Sequence, residues 1–303
     1  MDFDIVFQEL CTMNIGDVLK NEPLYKHTTF RVGGPAKIYV KVKNMDGLKQ
    51  LIQYINVNDI DYFIIGKGSN LLFSDRQFDG IIISLNEYFF KFEVKEDTII
   101  AQTGVSMVQL SNVACRAGLS GFEFMAGIPG NIGGGIFMNA GAYKTEIADR
   151  VIDVTFLDQA GQVKTLLKEE LQFTYRNSIF QKNPTWIILQ ATFKLDKGNV
   201  TEIKELMTKR NKRRTETQPL DLPSAGSVFK NPNGKGAWEY IDECGFRGYE
   251  IGGAQISPKH SNFIVNNGYA SAKDILDLIK FAQDGVYQKF GIAMHTEIRL
   301  VNW

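Results

Sequence analysis

Three short stretches hold most of the residues able to do chemistry. PSAGSVFKNP, residues 223–232, sets Ser227 between small residues and a Phe-Lys-Asn-Pro run. Small neighbours let a ligand come close to a hydroxyl, yet Gly and Pro at this spacing are also the ordinary composition of a turn. GKGSN, residues 66–70, follows an apolar strand pattern, and GIPGNIGGG, residues 127–135, opens a longer glycine-rich stretch. Glycine leaves backbone N–H groups unshielded, and such groups can cradle phosphate oxygens without a fixed consensus. Two loops of this kind could grip one diphosphate from both sides, with Ser69 and Asn70 adding donors; as plain turns they would bind nothing.

Several familiar chemistries are excluded. Leu71 stands where a GxGxxG fingerprint needs its third glycine, and neither Gly66-Lys67 nor Gly234-Lys235 is followed by Ser or Thr, so the Rossmann and P-loop patterns both fail. No G-x-S-x-G elbow surrounds Ser227. His27, His260 and His295 are scattered, and Cys11, Cys115 and Cys244 lack CxxC spacing, so no metal is expected and a reducing compartment fits. The run KRNKRRTE from Lys209 has no interleaved aromatics to stack bases, which makes it a solvated helix face able to attract a diphosphate rather than a nucleic-acid site. Lys plus Arg balance Asp plus Glu at 34 each, so no global field selects a polyanion.

The elements that must position these residues follow from periodicity. The chain has 303 residues, 44% hydrophobic and 22% charged, a globular composition with room for roughly two or three domains. AKIYVKV alternates as a strand with Ile38, Val40 and Val42 on one face, and Met45, Leu48, Leu51, Ile52 and Ile55 keep helical spacing. YFIIG and GIIISL are buried strands, TIIAQ another, and a helix runs from Ser106 to near Gly118. Residues 127–141 are expected to form no regular element. VIDVTFL, VKTLL and WIILQATFKL resume the strand pattern, then Asn199 and Glu202 cap a helix that runs through Ile203, Leu206 and Met207 and must end before Pro219. Ser271 and Asp274 cap a second long helix ending at Gly291, after the strand SNFIVNN. In the last strand, HTEIRLVN, Ile298 and Leu300 share the core face and Glu297 points the other way. The N-terminus is acidic and helical, unlike a signal peptide, and no stretch is apolar enough to span a bilayer, so a cytoplasmic protein is expected.

The combination of TTFRVGGPA (28–36), GKGSNLL (66–72), GIPGNIGGGIFMNAGAY (127–143), YRNSIF (175–180), AGSVFKNP (225–232), IGGAQIS (251–257) and TEIRLV (296–301) resembles the UDP-N-acetylenolpyruvoylglucosamine reductase (MurB) family over nearly the whole chain. The resemblance implies an α+β fold: a two-lobed FAD-binding domain of the vanillyl-alcohol-oxidase type, residues 1–85 and 86–198, then a smaller substrate-binding domain, 199–303, with the terminal strand able to return to the first lobe. It implies non-covalent FAD, NADPH as co-substrate, and reduction of an enolpyruvyl UDP-sugar to UDP-N-acetylmuramate for peptidoglycan. Gly66, Lys67, Gly68, Ser69, Asn70, Gly127, Ile128, Pro129, Gly130, Asn131 and Gly133 would hold the cofactor. Ser227 looks like the proton donor, Arg176 like the cation at the substrate carboxylate and Glu297 like its acidic partner, while Lys230 and Asn231 would bind substrate or shape its site.

The short stretch between YRNSIF and WIILQATFKL is similar to the shorter subclass of that family, which lacks an inserted tyrosine loop, so no tyrosine is assigned that role. Val228 replaces a common aromatic, and His295-Thr296 stand where a proline is frequent. A flavin oxidase acting on another alcohol or lactone, and a non-enzymatic sugar-nucleotide or RNA-binding module, are the alternatives. A monomer is expected, with no nucleic-acid or membrane partner.

Overall fold

Alternation in AKIYVKV becomes the strand Pro35–Val42, with Ile38, Val40 and Val42 fully buried. The computed structural model describes residues 1–303, apart from the side chain of Asn233. The chain divides into two compact units, each built from separate segments: Met1–Lys20, Ile38–Lys67 and Gly80–Lys212 in the first, and Asn21–Lys37, Gly68–Asp79 and Arg213–Trp303 in the second.

The helices of the first unit are α1 (Phe3–Thr12), α2 (Met45–Asn58), α3 (Met107–Arg116), α4 (Ile132–Met138), α5 (Ile179–Lys182) and most of α6 (Val200–Thr217). Asn44 caps α2 by accepting the Gly47 N–H at 2.8 Å, and the helix lays Leu48, Leu51, Ile52 and Ile55 on a core shared with Ile81 and Ile83. A four-stranded sheet runs in the order Gly16–Pro23, Pro35–Val42, Phe78–Ser84, Tyr62–Ile65, the last two pairing in parallel. A five-stranded antiparallel sheet follows the order Val163–Leu167, Val151–Leu157, Ile187–Lys194, Thr98–Gln102, Phe92–Lys95. Its core gathers Ile99, Ala101, Leu110, Ile132, Ile136, Phe156 and Phe193.

In the second unit, α7 (Ala237–Glu243) and α8 (Ala272–Phe290) pack with a small antiparallel sheet of Glu250–Ile251, Ala254–Ile256 and Ile264–Asn266. The expected capping box of α8 forms: Asp274 N donates to Ser271 Oγ at 3.1 Å and Ser271 N to Asp274 Oδ2 at 2.9 Å. Asp75 adds a second cap, its carboxylate accepting the N–H groups of Ala272 and Lys273 at 2.9 and 3.0 Å. The terminal strand Arg299–Val301 pairs in parallel with Leu71–Phe73.

Two expectations are corrected. The glycine-rich stretch is not without regular structure, because α4 contains Gly133, Gly134 and Gly135. Tertiary packing overrides poor helix propensity there: a Cβ on Gly133 would lie 1.9 Å from Thr103 Oγ1, and one on Gly135 would lie 2.7 Å from Ile147 Cδ1. The helix α6 forms as expected, with Ile203 and Met207 buried and Leu206 39% exposed. Leu300 is 41% exposed while Ile298 is buried, because the regular strand begins only at Arg299.

The two neighbouring glycines of α4 should respond oppositely to alanine. At Gly133 the new methyl must displace Thr103, at a cost of about 1–3 kcal/mol. At Gly134, where no atom lies within 4 Å of the new Cβ, alanine should gain about 0.5–1 kcal/mol of helix stability. Urea denaturation of both variants checks the pair; shifts of the same sign would contradict this packing.

Candidate active site

In the first unit, the segment after Met125 is drawn onto the loop that follows strand Thr98–Gln102. Ile128 N–H donates to Met125 O, Gly130 O accepts from Met107 N–H, Ile132 N–H reaches Val105 O, and Gly133 N–H reaches Thr103 O at 2.9 Å. Ile128 packs on the unit's core, Gly127 is half-buried and Pro129 is exposed. Lys67 Nζ lies 3.3 Å from Ser106 Oγ, and Ser106 forms a β-bridge with Asn131. Gly66, Lys67 and the second glycine segment are thereby gathered on one side of this unit. The space a side chain would occupy at Gly66 and at Gly134 is open.

Asn131 is buried with its amide fully used as a donor, to Asn86 Oδ1 at 2.9 Å and Gly104 O at 2.7 Å. Its Oδ1 has no partner among the described residues. A buried acceptor left unmade costs about 1–3 kcal/mol, so a donor from a bound molecule is the natural partner.

Arg176 hangs from the other end of α4. Its Nη2 donates to Gly141 O at 2.8 Å and its Nη1 to Asn139 O at 3.4 Å, while the guanidinium lies 5.0 Å from the centre of the Tyr175 ring. Gln181 Nε2 donates to Arg176 O and Phe137 O, both at 3.0 Å, and Ser178 Oγ donates to Phe137 O at 2.8 Å. Arg176 itself is left-handed, with φ of 54°. A non-glycine residue in that region is uncommon and is held only when its surroundings over-determine it.

The second unit carries the remaining candidates. The segment after Gly226 lies between two others: Ser227 bridges Phe263 and Val228 N–H donates to Asn262 O at 2.8 Å on one side. On the other, Glu297 N–H donates to Val228 O at 2.7 Å and Lys230 N–H to His295 O at 2.9 Å. Glu297 is thus one residue-pair from Ser227. Asn70 ties the first glycine loop to the same place, its Nδ2 donating to Glu297 O at 3.1 Å and its carbonyl accepting from Arg299 N–H at 3.0 Å. Gly68, at φ of 62°, sits where a Cβ would be 2.1 Å from His27 O, and its carbonyl accepts from Thr29 N–H. Ser69 and Lys230 are half-buried. Asn231 is exposed and uses Oδ1 to accept from Ala237 N–H at 3.1 Å at the start of α7. Among the described residues the half-buried Ser227 hydroxyl meets no hydrogen-bond partner.

Comparison with known proteins decides the family. Residues 218–301 match the family described as UDP-N-acetylenolpyruvoylglucosamine reductase, C-terminal domain, and residues 36–167 match an FAD binding domain. UDP-N-acetylenolpyruvoylglucosamine reductase 1 of Bacillus cereus is 41% identical over 293 residues, covering 97% of each chain. The chain belongs to the UDP-N-acetylenolpyruvoylglucosamine reductase family. The reductase from Caldanaerobacter subterraneus subsp. tengcongensis is 44% identical over 287 residues, 94% of each chain. The crystal structure of the Thermus caldophilus reductase superposes with a TM-score of 0.80 at 34% identity, covering 94% of this chain and 98% of that one. The α+β class with an FAD-binding domain, expected from the sequence, is the fold found.

The residues present fit FAD. The flavin N3–H, the ribityl hydroxyls and the adenine amine are all donors of the kind Asn131 Oδ1 lacks, and the open space at Gly66 and Gly134 admits a ligand close to the backbone. Among the described residues no group of three or more His, Cys, Asp or Glu could hold a metal. The basic run lies on α6, where Arg210 stacks over the Tyr143 ring at 4.8 Å and the Tyr143 hydroxyl donates to Arg210 O. Asn139 and Asn262 are hydrogen-bonding hubs that sequence reasoning missed. Asn139 takes φ of 45° at the end of α4, and its Oδ1 accepts from Ala148 N–H. An asparagine after a helix or a serine signals only a turn, so nothing in the sequence marked either.

His260 sits behind the Ser227 segment, with its Nδ1 accepting from Asn262 N–H at 3.3 Å and its ring 4.9 Å from that of Phe263. Burial, then repulsion from Arg247, holds its pKa below the ordinary 6.5, with its own backbone and Asp242 opposing. The unfolded chain therefore binds this proton more readily. The group's contribution to stability is complete above the unfolded value and is lost as pH falls through 6.5 toward the folded one. Stability should decline between about pH 7 and 5, and His260→Gln should flatten that slope in denaturant titrations; an unchanged slope would remove His260 as its source.

Proposed function

We propose that the protein reduces UDP-N-acetyl-enolpyruvoylglucosamine to UDP-N-acetylmuramate with NADPH, in the cytoplasm, as a step toward peptidoglycan. The observation that carries the reading is the Ser227 hydroxyl, partly exposed and unpartnered among the described residues on a segment fixed from both sides, next to the segment bearing Glu297. Bound FAD would supply the hydride, taken from NADPH and delivered to the terminal carbon of the enolpyruvyl double bond.

Addition of hydride there leaves negative charge on the adjacent carbon, delocalised into the carboxylate. Arg176 would hold that carboxylate, since a planar guanidinium offers five donors in a fixed fork and its bonds to Asn139 O and Gly141 O set its direction. Preorganised charge of this kind lowers the barrier because nothing reorients during the reaction. Ser227 would then give its proton to the carbanion-like carbon; a weak acid suffices when the acceptor is strongly basic and held at about 3 Å. Glu297 would hydrogen-bond the same developing charge. Lys230 would contact substrate, and Asn231, engaged with Ala237 N–H, would shape the loop.

Gly66, Lys67, Gly68, Ser69, Asn70, Gly127, Ile128, Pro129, Gly130, Asn131 and Gly133 would hold FAD. The functional division 1–85, 86–198 and 199–303, a monomeric state, and the lack of nucleic-acid or membrane partners belong to the same reading. No helix among the described residues is long and apolar enough to cross a membrane.

Anaerobic stopped-flow separates the two half-reactions. Ser227→Ala should bind FAD and be bleached by NADPH, yet be reoxidised by the enolpyruvyl sugar about 10²–10⁴ times more slowly. Unchanged reoxidation would take the proton-donor role from Ser227. Arg176→Ala should slow the same step by about 10²–10³. An equal loss of bleaching by NADPH would instead assign Arg176 to the cofactor or the fold.

A further inference from the structure

We propose that Asn262 is the positioning residue that aims the Ser227 hydroxyl, an inference that rests on the reading of Ser227 as proton donor. Asn262 is 3% exposed, and every polar group it has is engaged. Its side chain brackets one residue: Oδ1 accepts from Phe229 N–H at 3.0 Å and Nδ2 donates to Phe229 O at 2.9 Å. Its backbone carbonyl takes Val228 N–H at 2.8 Å, and its own N–H is held by His260 Nδ1 at 3.3 Å.

Consecutive N–H groups of a regular strand point to opposite edges, so both cannot reach the same neighbour. Here those of Val228 and Phe229 both end on Asn262, which means that the chain bends immediately after Ser227. Bends of this kind re-aim the adjacent side chain. The bend is not needed to attach the segment, because the side chains of Val228 and Phe229 are themselves buried in the second unit's core. What the carboxamide adds is backbone direction at one peptide from the hydroxyl. A proton donor must meet its acceptor within narrow limits of distance and angle, so loss of that direction should be felt in proton delivery before it is felt in binding.

The test uses the FAD-loaded enzyme with NADPH and then the enolpyruvyl UDP-sugar, for Asn262→Leu and for the milder Asn262→Ser, which leaves room for water at the Phe229 groups. Flavin bleaching by NADPH serves as the internal reference. Reoxidation should slow by about tenfold or more with KM changed less than kcat, and its solvent deuterium isotope effect should rise. In a Ser227→Ala background the same substitution should cost less than about twofold, since no hydroxyl remains to be aimed. Equal slowing with and without the hydroxyl would show a general structural role and overturn the proposal, as would unaltered reoxidation in Asn262→Ser. Should Asn262→Leu fail to retain FAD, Asn262→Ser decides. If Ser227→Ala alone leaves reoxidation unaltered, the donor reading fails first, a result distinct from either of these.

Discussion

The first unit depends on one close approach: Gly133 against Thr103, where the backbone N–H of one meets the carbonyl of the other at 2.9 Å and no Cβ could be fitted. This contact seats the start of α4. From that start come the exposed face of the glycine segment, the bridge from Asn131 to Ser106 and the ammonium of Lys67 beside it. From its end come the carbonyls of Asn139 and Gly141 that orient Arg176. A short helix of poor intrinsic propensity thus links the glycine segment beside Lys67 to the carbonyls that hold the Arg176 guanidinium. Gly133 and Gly135 leave room for Thr103, Ile147 and Met107, and tertiary packing supplies the helical stability that propensity does not.

The second unit solves a different problem with the same economy of parts. The Ser227 segment has no long strand on either side, only short pairings from Asn262 and Phe263 and from His295 to Glu297. Side-chain amides complete what the ladder leaves undone. Asn262 does so for Phe229, Asn266 donates to Phe30 O at 2.9 Å, and Asn70 ties the glycine loop to the carbonyl of Glu297. Buried amides satisfied in this way specify one arrangement, because any alternative strands a polar group away from water.

Much of the scaffold was legible in the sequence because it obeys local rules. The alternation at Ile38, Val40 and Val42, the helical stripe of α2, and the reciprocal cap of Ser271 and Asp274 each follow from a few neighbouring residues. The site was legible only in part. Glycine loops announced that backbone would be exposed, but periodicity could not reveal that one of them would wind into α4, since the reason lies in Thr103, Ile147 and Met107. Asn262 stayed hidden because the residue it serves is 33 positions away. Exposed Leu300 shows the converse error, in which a correct period assigns an apolar residue to a face that the neighbouring elements do not reach.

The interleaved segments of the second unit bear on how a ribosome delivers this chain. Phe30 and Asp75 emerge early, yet the amide that meets the Phe30 carbonyl is on Asn266, and the N–H groups that meet the Asp75 carboxylate belong to Ala272 and Lys273. Those partners are synthesised 236 and 197 residues later. The buried ring of Phe30 and its neighbours therefore wait through that interval of elongation without their final contacts, a window in which nascent chains recruit chaperones or associate wrongly.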